Sequence, residues 1–225
     1  MFSIGCFTIY LILGLIFLLP LMFARIITGA FVTLGFTPVQ AFWLLIFSLI
    51  GGVINIPVKR WPGKHGKSNG YFLFPKIKKF PVYQYKILAV NVGGAIIPGV
   101  VSIWEIYRIF TEFAAYYPLA IPVFFITLVL NTIVCYKLAR PVEGKGITLP
   151  ALIPPTVAAV PSVVFAPQIA PVIAFPAGVL GVLIGADILH LRDIRKMNSP
   201  AGSIGGAGTF DGIFLCGIIS VFLTG

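Results

Sequence analysis

Two of the six carboxylate side chains in this 225-residue chain, Asp187 and Asp211, stand inside apolar stretches only 24 positions apart. The first closes the run Gly185-Ala186-Asp187-Ile188-Leu189-His190. The second follows Gly205-Gly206-Ala207-Gly208-Thr209-Phe210 and precedes Gly212. A carboxylate inside a membrane costs about 2.5–3.5 kcal/mol on insertion scales and marks function by default. Two such groups brought close in a poorly solvated site do not both ionise readily, so they share a proton. The ionised member can then activate water while the protonated member polarises a carbonyl. The glycines around both residues remove side-chain bulk, letting backbones approach and leaving room for water or a substrate chain. The spacing therefore points to acid–base hydrolysis by an aspartate dyad.

The elements that would position this pair are apolar helices. Charged residues make up 10% of the chain and hydrophobic residues 59%, against about 25% charged in a soluble domain. A surface this poor in charge excludes the water-soluble globular classes and makes lipid the solvent. Apolar runs separated by charges predict about seven transmembrane helices, at 4–25, 38–57, 87–107, 118–136, 148–165, 170–190 and 204–224. Met1 to Phe23 lacks a basic leader and a small-residue cleavage site, so it reads as a retained first helix. The fifth run holds Pro150, Pro154, Pro155 and Pro161, which predicts a Pro-kinked, broken or re-entrant segment. The expected fold class is thus an all-α membrane protein, one polytopic domain over residues 1–225. Cys6, Cys135 and Cys216 are scattered and read as small apolar residues without a disulfide or zinc framework.

Charge gives this arrangement a direction. Fourteen of the 16 Lys and Arg residues fall in the 58–86, 137–147 and 191–203 connections, which share one side in a seven-span chain. The positive-inside rule then predicts a cytoplasmic N-terminus in a cell-membrane protein. The net charge of +10 follows from that topology and from attraction to anionic membrane lipids, so nucleic acid is not needed as a partner. The basic 58–86 loop is also aromatic, and Tyr71–Phe80 predicts a short hairpin whose edge could accept an extended peptide. On the same side, Asn55, Asn91, Asn131 and Asp187 lie within four to six residues of a flanking cation, roughly 6–9 Å inside the boundary. Asp211 lies roughly 12 Å inside its own helix. This polar layer predicts a cavity open to the cytoplasm with the three asparagines shaping it. Any one Asn serves equally as an interhelical hydrogen bond worth about 0.6 kcal/mol. Glu105 and Arg108, at the opposite side, read as a structural ion pair.

Consecutive helices that each carry an aspartate near the cytoplasmic side, the second behind a Gly-x-Gly, resemble presenilin and signal peptide peptidase, which are intramembrane aspartyl proteases. That resemblance implies catalytic roles for Asp187 and Asp211. It also implies site-shaping roles for Pro150, Ala151 and Leu152, which match the family's Pro-Ala-Leu motif, and for Gly206 and Gly208. The implied substrate is a transmembrane peptide. Thr209 and Phe210 intervene where that family has Gly-x-Gly-Asp, and the Pro-Ala-Leu here precedes both aspartates. Along its whole length the chain resembles an uncharacterised family of prokaryotic integral-membrane proteins, through Ile184–Leu191 and Ser203–Leu215. Two other functions compete. A proton- or ion-coupled transporter would use the same aspartates beside broken helices. A lipid-modifying enzyme would hold Mg²⁺ with Asp187, His190, Asp193 and Asp211 near a lipid phosphate. A structural brace is the bland alternative. The dyad reading calls for no cofactor and no metal, and the Gly205–Gly208 run lacks the Lys-Ser/Thr of a phosphate loop.

Overall fold

The computed structural model describes residues 4–62, 85–142, 146–197, 201–206 and 211–225, with backbone alone for 4–10, 13, 62, 85, 86 and 201. In chain order the elements are α1 (Ile4–Thr33), α2 (Pro38–Gly51), β1 (Asn55–Pro62), β2 (Tyr85–Asn91), α3 (Ile97–Arg108), α4 (Ala120–Leu138), β3 (Arg140–Val142), β4 (Gly146–Thr148), α5 (Ile153–Phe165), α6 (Ala170–Val182), α7 (Leu191–Lys196), β5 (Ala201–Ile204) and α8 (Gly212–Thr224). Wide π-helical turns flank α3, at Val92–Ile96 and Ile109–Phe113, and a third, Leu183–Ile188, extends α6.

The fold is mostly helical, and each of the seven apolar runs contains a helix. Among the described residues, four helical stretches are long and apolar enough to cross a bilayer: Gly14–Thr33, Val92–Phe113, Ala120–Leu138 and Pro167–Ile188. α2, α5 and α8 are also apolar but have 14, 13 and 13 residues, about 20 Å each at 1.5 Å per residue, against a hydrocarbon core of about 30 Å. Their outer faces are apolar, as lipid-facing helices are: Phe42, Trp43 and Phe47 of α2 and Phe17, Leu19 and Leu21 of α1 are exposed.

α6 with its π-helical extension is the central helix. Of its span 78% is buried, against 17% for Gly14–Thr33. Glycines form the seams around it. A Cβ on Gly178 would fall 2.7 Å from Ser220 Oγ of α8, and one on Gly217 would fall 2.6 Å from Val179. A Cβ on Gly181 would meet the Asn131 side chain of α4, and one on Gly185 would meet the Thr132 carbonyl and Cys135. Such small-residue seams replace the hydrophobic effect as the source of helix association in lipid. Phe31, Phe175 and Phe214 join α1, α6 and α8 with ring centroids 6.3–6.4 Å apart. A second apolar cluster (Ile109, Phe124, Ile169 and Ile173) joins α3, α4 and α6 toward the other end.

An all-α fold is not what forms. The expected second span stops as helix at Gly51, and the expected third begins as strand. β1 pairs antiparallel with β2, Asn55 opposite Asn91, with the register shifting between Pro57 and Lys59. β2 in turn pairs parallel with β5, Ile87 opposite Ala201. The sheet order β1-β2-β5 leaves β1 at an edge, where Pro57 and Pro62 are tolerated because no ladder bond is lost. The cause is local: Gly51-Gly52 ends α2, and the following Val-Ile-Asn-Ile-Pro-Val favours extended backbone. Asn55 and Asn91 therefore sit on strands, not on spanning helices. The expected hairpin within Tyr71–Phe80 lies outside the described residues, as does most of the basic loop. A small hairpin, β3–β4, follows α4, with Arg140 opposite Thr148.

Candidate functional site

Asp187 lies in the π-helical turn Leu183–Ile188. Such turns widen the helix and recur at functional sites. Gly185 permits the turn to abut α4. Asp187 is half-buried, and its carboxylate forms no hydrogen bond among the described residues. Its electrostatic neighbours are Asp211 and Cys135.

Asp211 is the N-cap of α8. Its backbone is extended (φ −71°, ψ 149°) and its Oδ1 accepts from the Ile213 N–H at 2.9 Å. A cap of this kind satisfies one of the helix's free donors, and the helix dipole favours negative charge there. Asp187 ends one helix and Asp211 begins the next apolar helix, and the charge of Asp211 is felt at Asp187.

The three-stranded sheet precedes Asp211 in the chain. Asn91 is fully buried, and its Nδ2 donates to the Gly52 carbonyl at 2.8 Å and to Asn55 Oδ1 at 3.2 Å. Its Oδ1 accepts from the Gly94 N–H at 2.8 Å. Asn55 Oδ1 also accepts from Ser203 Oγ at 2.6 Å. One cluster therefore ties β1, β2 and β5 together. Directly after β5, Gly205 adopts φ +70°, and a Cβ there would fall 2.7 Å from Ala95. Gly206 is exposed in the same turn, and Gly208 lies outside the described residues. Asn55 and Asn91 thus hold the three strands together. Asn131 is buried in α4 and donates to the Ala177 carbonyl at 3.0 Å, an interhelical bond to α6, while Cys135 donates to its Oδ1 at 3.5 Å.

Pro150, Ala151 and Leu152 are exposed and not helical; α5 starts only at Ile153. Ser220 Oγ reaches the Pro155 carbonyl at 3.5 Å, and Ser220 lies nine residues into α8 from Asp211, about 13 Å along the helix. The Pro-Ala-Leu segment therefore runs inward from the end that carries the aspartates. Exposed irregular backbone leading into the bundle is tolerated where it lines water or meets another chain.

The metal set weighed from sequence does not gather. Among the described residues no group of three or more His, Cys, Asp or Glu is arranged to hold an ion. His190 is buried, its Nδ1 3.1 Å from the Gly185 carbonyl and its ring 4.9 Å from that of Tyr136. Asp193 pairs with Lys196 at 3.9 Å. At the opposite end Arg108 binds Glu105 and Glu112, each at 3.0 Å, donates to the Leu34 carbonyl and sits 5.1 Å over the Phe113 ring. This agrees with a structural ion pair.

A family model described as "Protein of unknown function (DUF1614)" matches residues 49–223. The chain belongs to the DUF1614 family. The DUF1614 match starts at the end of α2 and takes in the sheet, the central helix and both aspartates. No curated protein and no solved structure matches the chain. The resemblance to presenilin and signal peptide peptidase therefore rests on the three short motifs alone.

Sequence reasoning missed the three-stranded sheet and the π-helical turn. The paired glycine doublets Gly51-Gly52 and Gly93-Gly94, each close to an Asn, were the available signal for the first. A Cβ on Gly93 would collide with the Ser48 carbonyl and Gly52 N, so the doublets mark a backbone-to-backbone junction.

Proposed function

We propose that this DUF1614 protein is an intramembrane aspartyl hydrolase whose dyad is Asp187 and Asp211, with a transmembrane peptide as substrate. The observation that carries this reading is the pairing of a half-buried carboxylate in a π-helical turn with a carboxylate on a helix N-terminus, each within electrostatic reach of the other. Asp211 is seated where a helix dipole favours negative charge. It would hold the carboxylate that takes a proton from water, while Asp187 would donate the shared proton to the scissile carbonyl. Pro150, Ala151 and Leu152 would offer backbone to an extended substrate. Seven spans with a cytoplasmic N-terminus in the cell membrane, the dyad facing the cytoplasm, is the topology that goes with this reading. It is supported by cations gathered at the aspartate end, where Lys59, Arg60, Lys137, Arg140, Arg192, Arg195 and Lys196 lie.

The test is cleavage of a transmembrane peptide by purified protein in liposomes, compared with Asp187→Asn and Asp211→Asn. The expected result is loss of cleavage in both. Full activity in either single variant removes the dyad mechanism.

A second reading, an ion-coupled carrier, is favoured by one observation: α5 begins deep in the bundle after irregular backbone, as broken helices do at transport sites. Ion uptake into liposomes that requires Asp187, without peptide cleavage, would select it.

A further inference from the structure

Beyond the aspartates, the aspartate end carries a cleft of about 420 Å³ lined by Leu138, Arg140, Thr148, Leu149 and Pro150. Its place in the fold defines its ligand. Leu138 is the last residue of the membrane-length helix Ala120–Leu138, so the cleft opens where hydrocarbon gives way to headgroups. Arg140 and Thr148 are directly opposite one another on β3 and β4, and residues so paired project to one face of the ladder. Thr148 Oγ1 donates to the Arg140 carbonyl at 3.1 Å, which fixes the strand that bears the cation. Arg140 forms no ion pair among the described residues, whereas Arg108 is held by two glutamates. A guanidinium at headgroup depth matches a phosphodiester bidentately. Leu138, Leu149 and Pro150 supply an apolar wall for the glycerol and first acyl carbons beneath it, and the volume lies in the range of ligand sites.

We infer that this cleft is a binding site for the phosphodiester headgroup of an anionic membrane lipid, with Arg140 as its anion-binding residue. The inference is independent of the chemistry at the aspartates.

The test uses full-length protein in detergent and native mass spectrometry, with short-chain phosphatidylglycerol, short-chain phosphatidylcholine and inorganic phosphate as probes. Phosphatidylglycerol is expected to bind in preference to phosphatidylcholine. Arg140→Gln should weaken phosphatidylglycerol by about tenfold, as removal of a charge-assisted contact does. Arg140→Lys, which keeps the charge and loses the fork, should weaken it by about threefold and guards against a folding artefact. Lys59→Gln, an equal loss of charge on β1, should change binding by less than about twofold. Wild-type affinity in Arg140→Gln, or an equal loss in Lys59→Gln, would overturn the site. Displacement of the lipid by an equal concentration of inorganic phosphate would overturn the lipid as its ligand.

Discussion

At the scale of residues, Asp211 caps α8 and is proposed to carry the dyad, and a substitution can separate the two. Asn is as good an N-cap as Asp. Asp211→Asn should therefore leave the melting temperature of the purified protein almost unchanged while abolishing peptide cleavage. Asp211→Ala removes the cap as well, and should cost about 1 kcal/mol of stability, seen as a lower midpoint in thermal unfolding. Asn91 is a different case. Its buried amide serves Gly52, Gly94 and Asn55 together. Asn91→Ala strands the Gly52 carbonyl and the Gly94 N–H, and should destabilise the protein by about 2 kcal/mol, again read by thermal unfolding. The aspartates were legible in the sequence because charge inside an apolar run is rare and costly. The asparagines were legible only as polar groups inside apolar runs. Their partners are 36 and 148 positions away, a separation that no local pattern encodes.

At the scale of elements, each apolar run holds a helix, but only four helical stretches among the described residues are long and apolar enough to span. The ends of the runs were not legible. α2 starts where the capping box of Thr37 and Gln40 and the Pro at the first helical position put it, but it stops at a glycine doublet inside the hydrophobic run. Hydropathy is blind to that stop, because Val53, Ile54 and Ile56 are as apolar in a strand as in a helix. The glycine at the other side of the junction is the sharpest element-level test. Gly93→Ala would push a methyl group into backbone atoms of α2 that have no rotamer to give, and should cost about 3 kcal/mol or prevent recovery of folded protein. Gly99→Ala, in α3 with open space around it, should instead stabilise by up to about 1 kcal/mol. Size-exclusion profiles and melting curves of the two variants in one detergent distinguish them.

At the scale of the whole molecule, the two ends differ in kind. One gathers cations, the sheet and the aspartates. The other carries the Glu105–Arg108–Glu112 cluster, with Trp104 stacked on Tyr107 at 5.7 Å, an aromatic pair suited to a membrane interface. The proposed topology makes these ends face opposite compartments. In a cysteine-free background, Lys59→Cys and Tyr116→Cys, both at exposed positions, should be labelled by an impermeant maleimide from opposite sides of sealed vesicles. Labelling of both from the same side would overturn the topology. The parallel pairing of β2 with β5 adds a matter of timing. Ile87 cannot meet Ala201 until more than a hundred further residues have been synthesised, and contacts of such long separation form late. Throughout insertion of the earlier helices β2 has only β1 beside it, and Asp211 has no helix to cap. The proposed acidic pair thus forms only after α8 has been made, so a chain stalled before α8 would lack it. A hydrolase of this design would be born switched off.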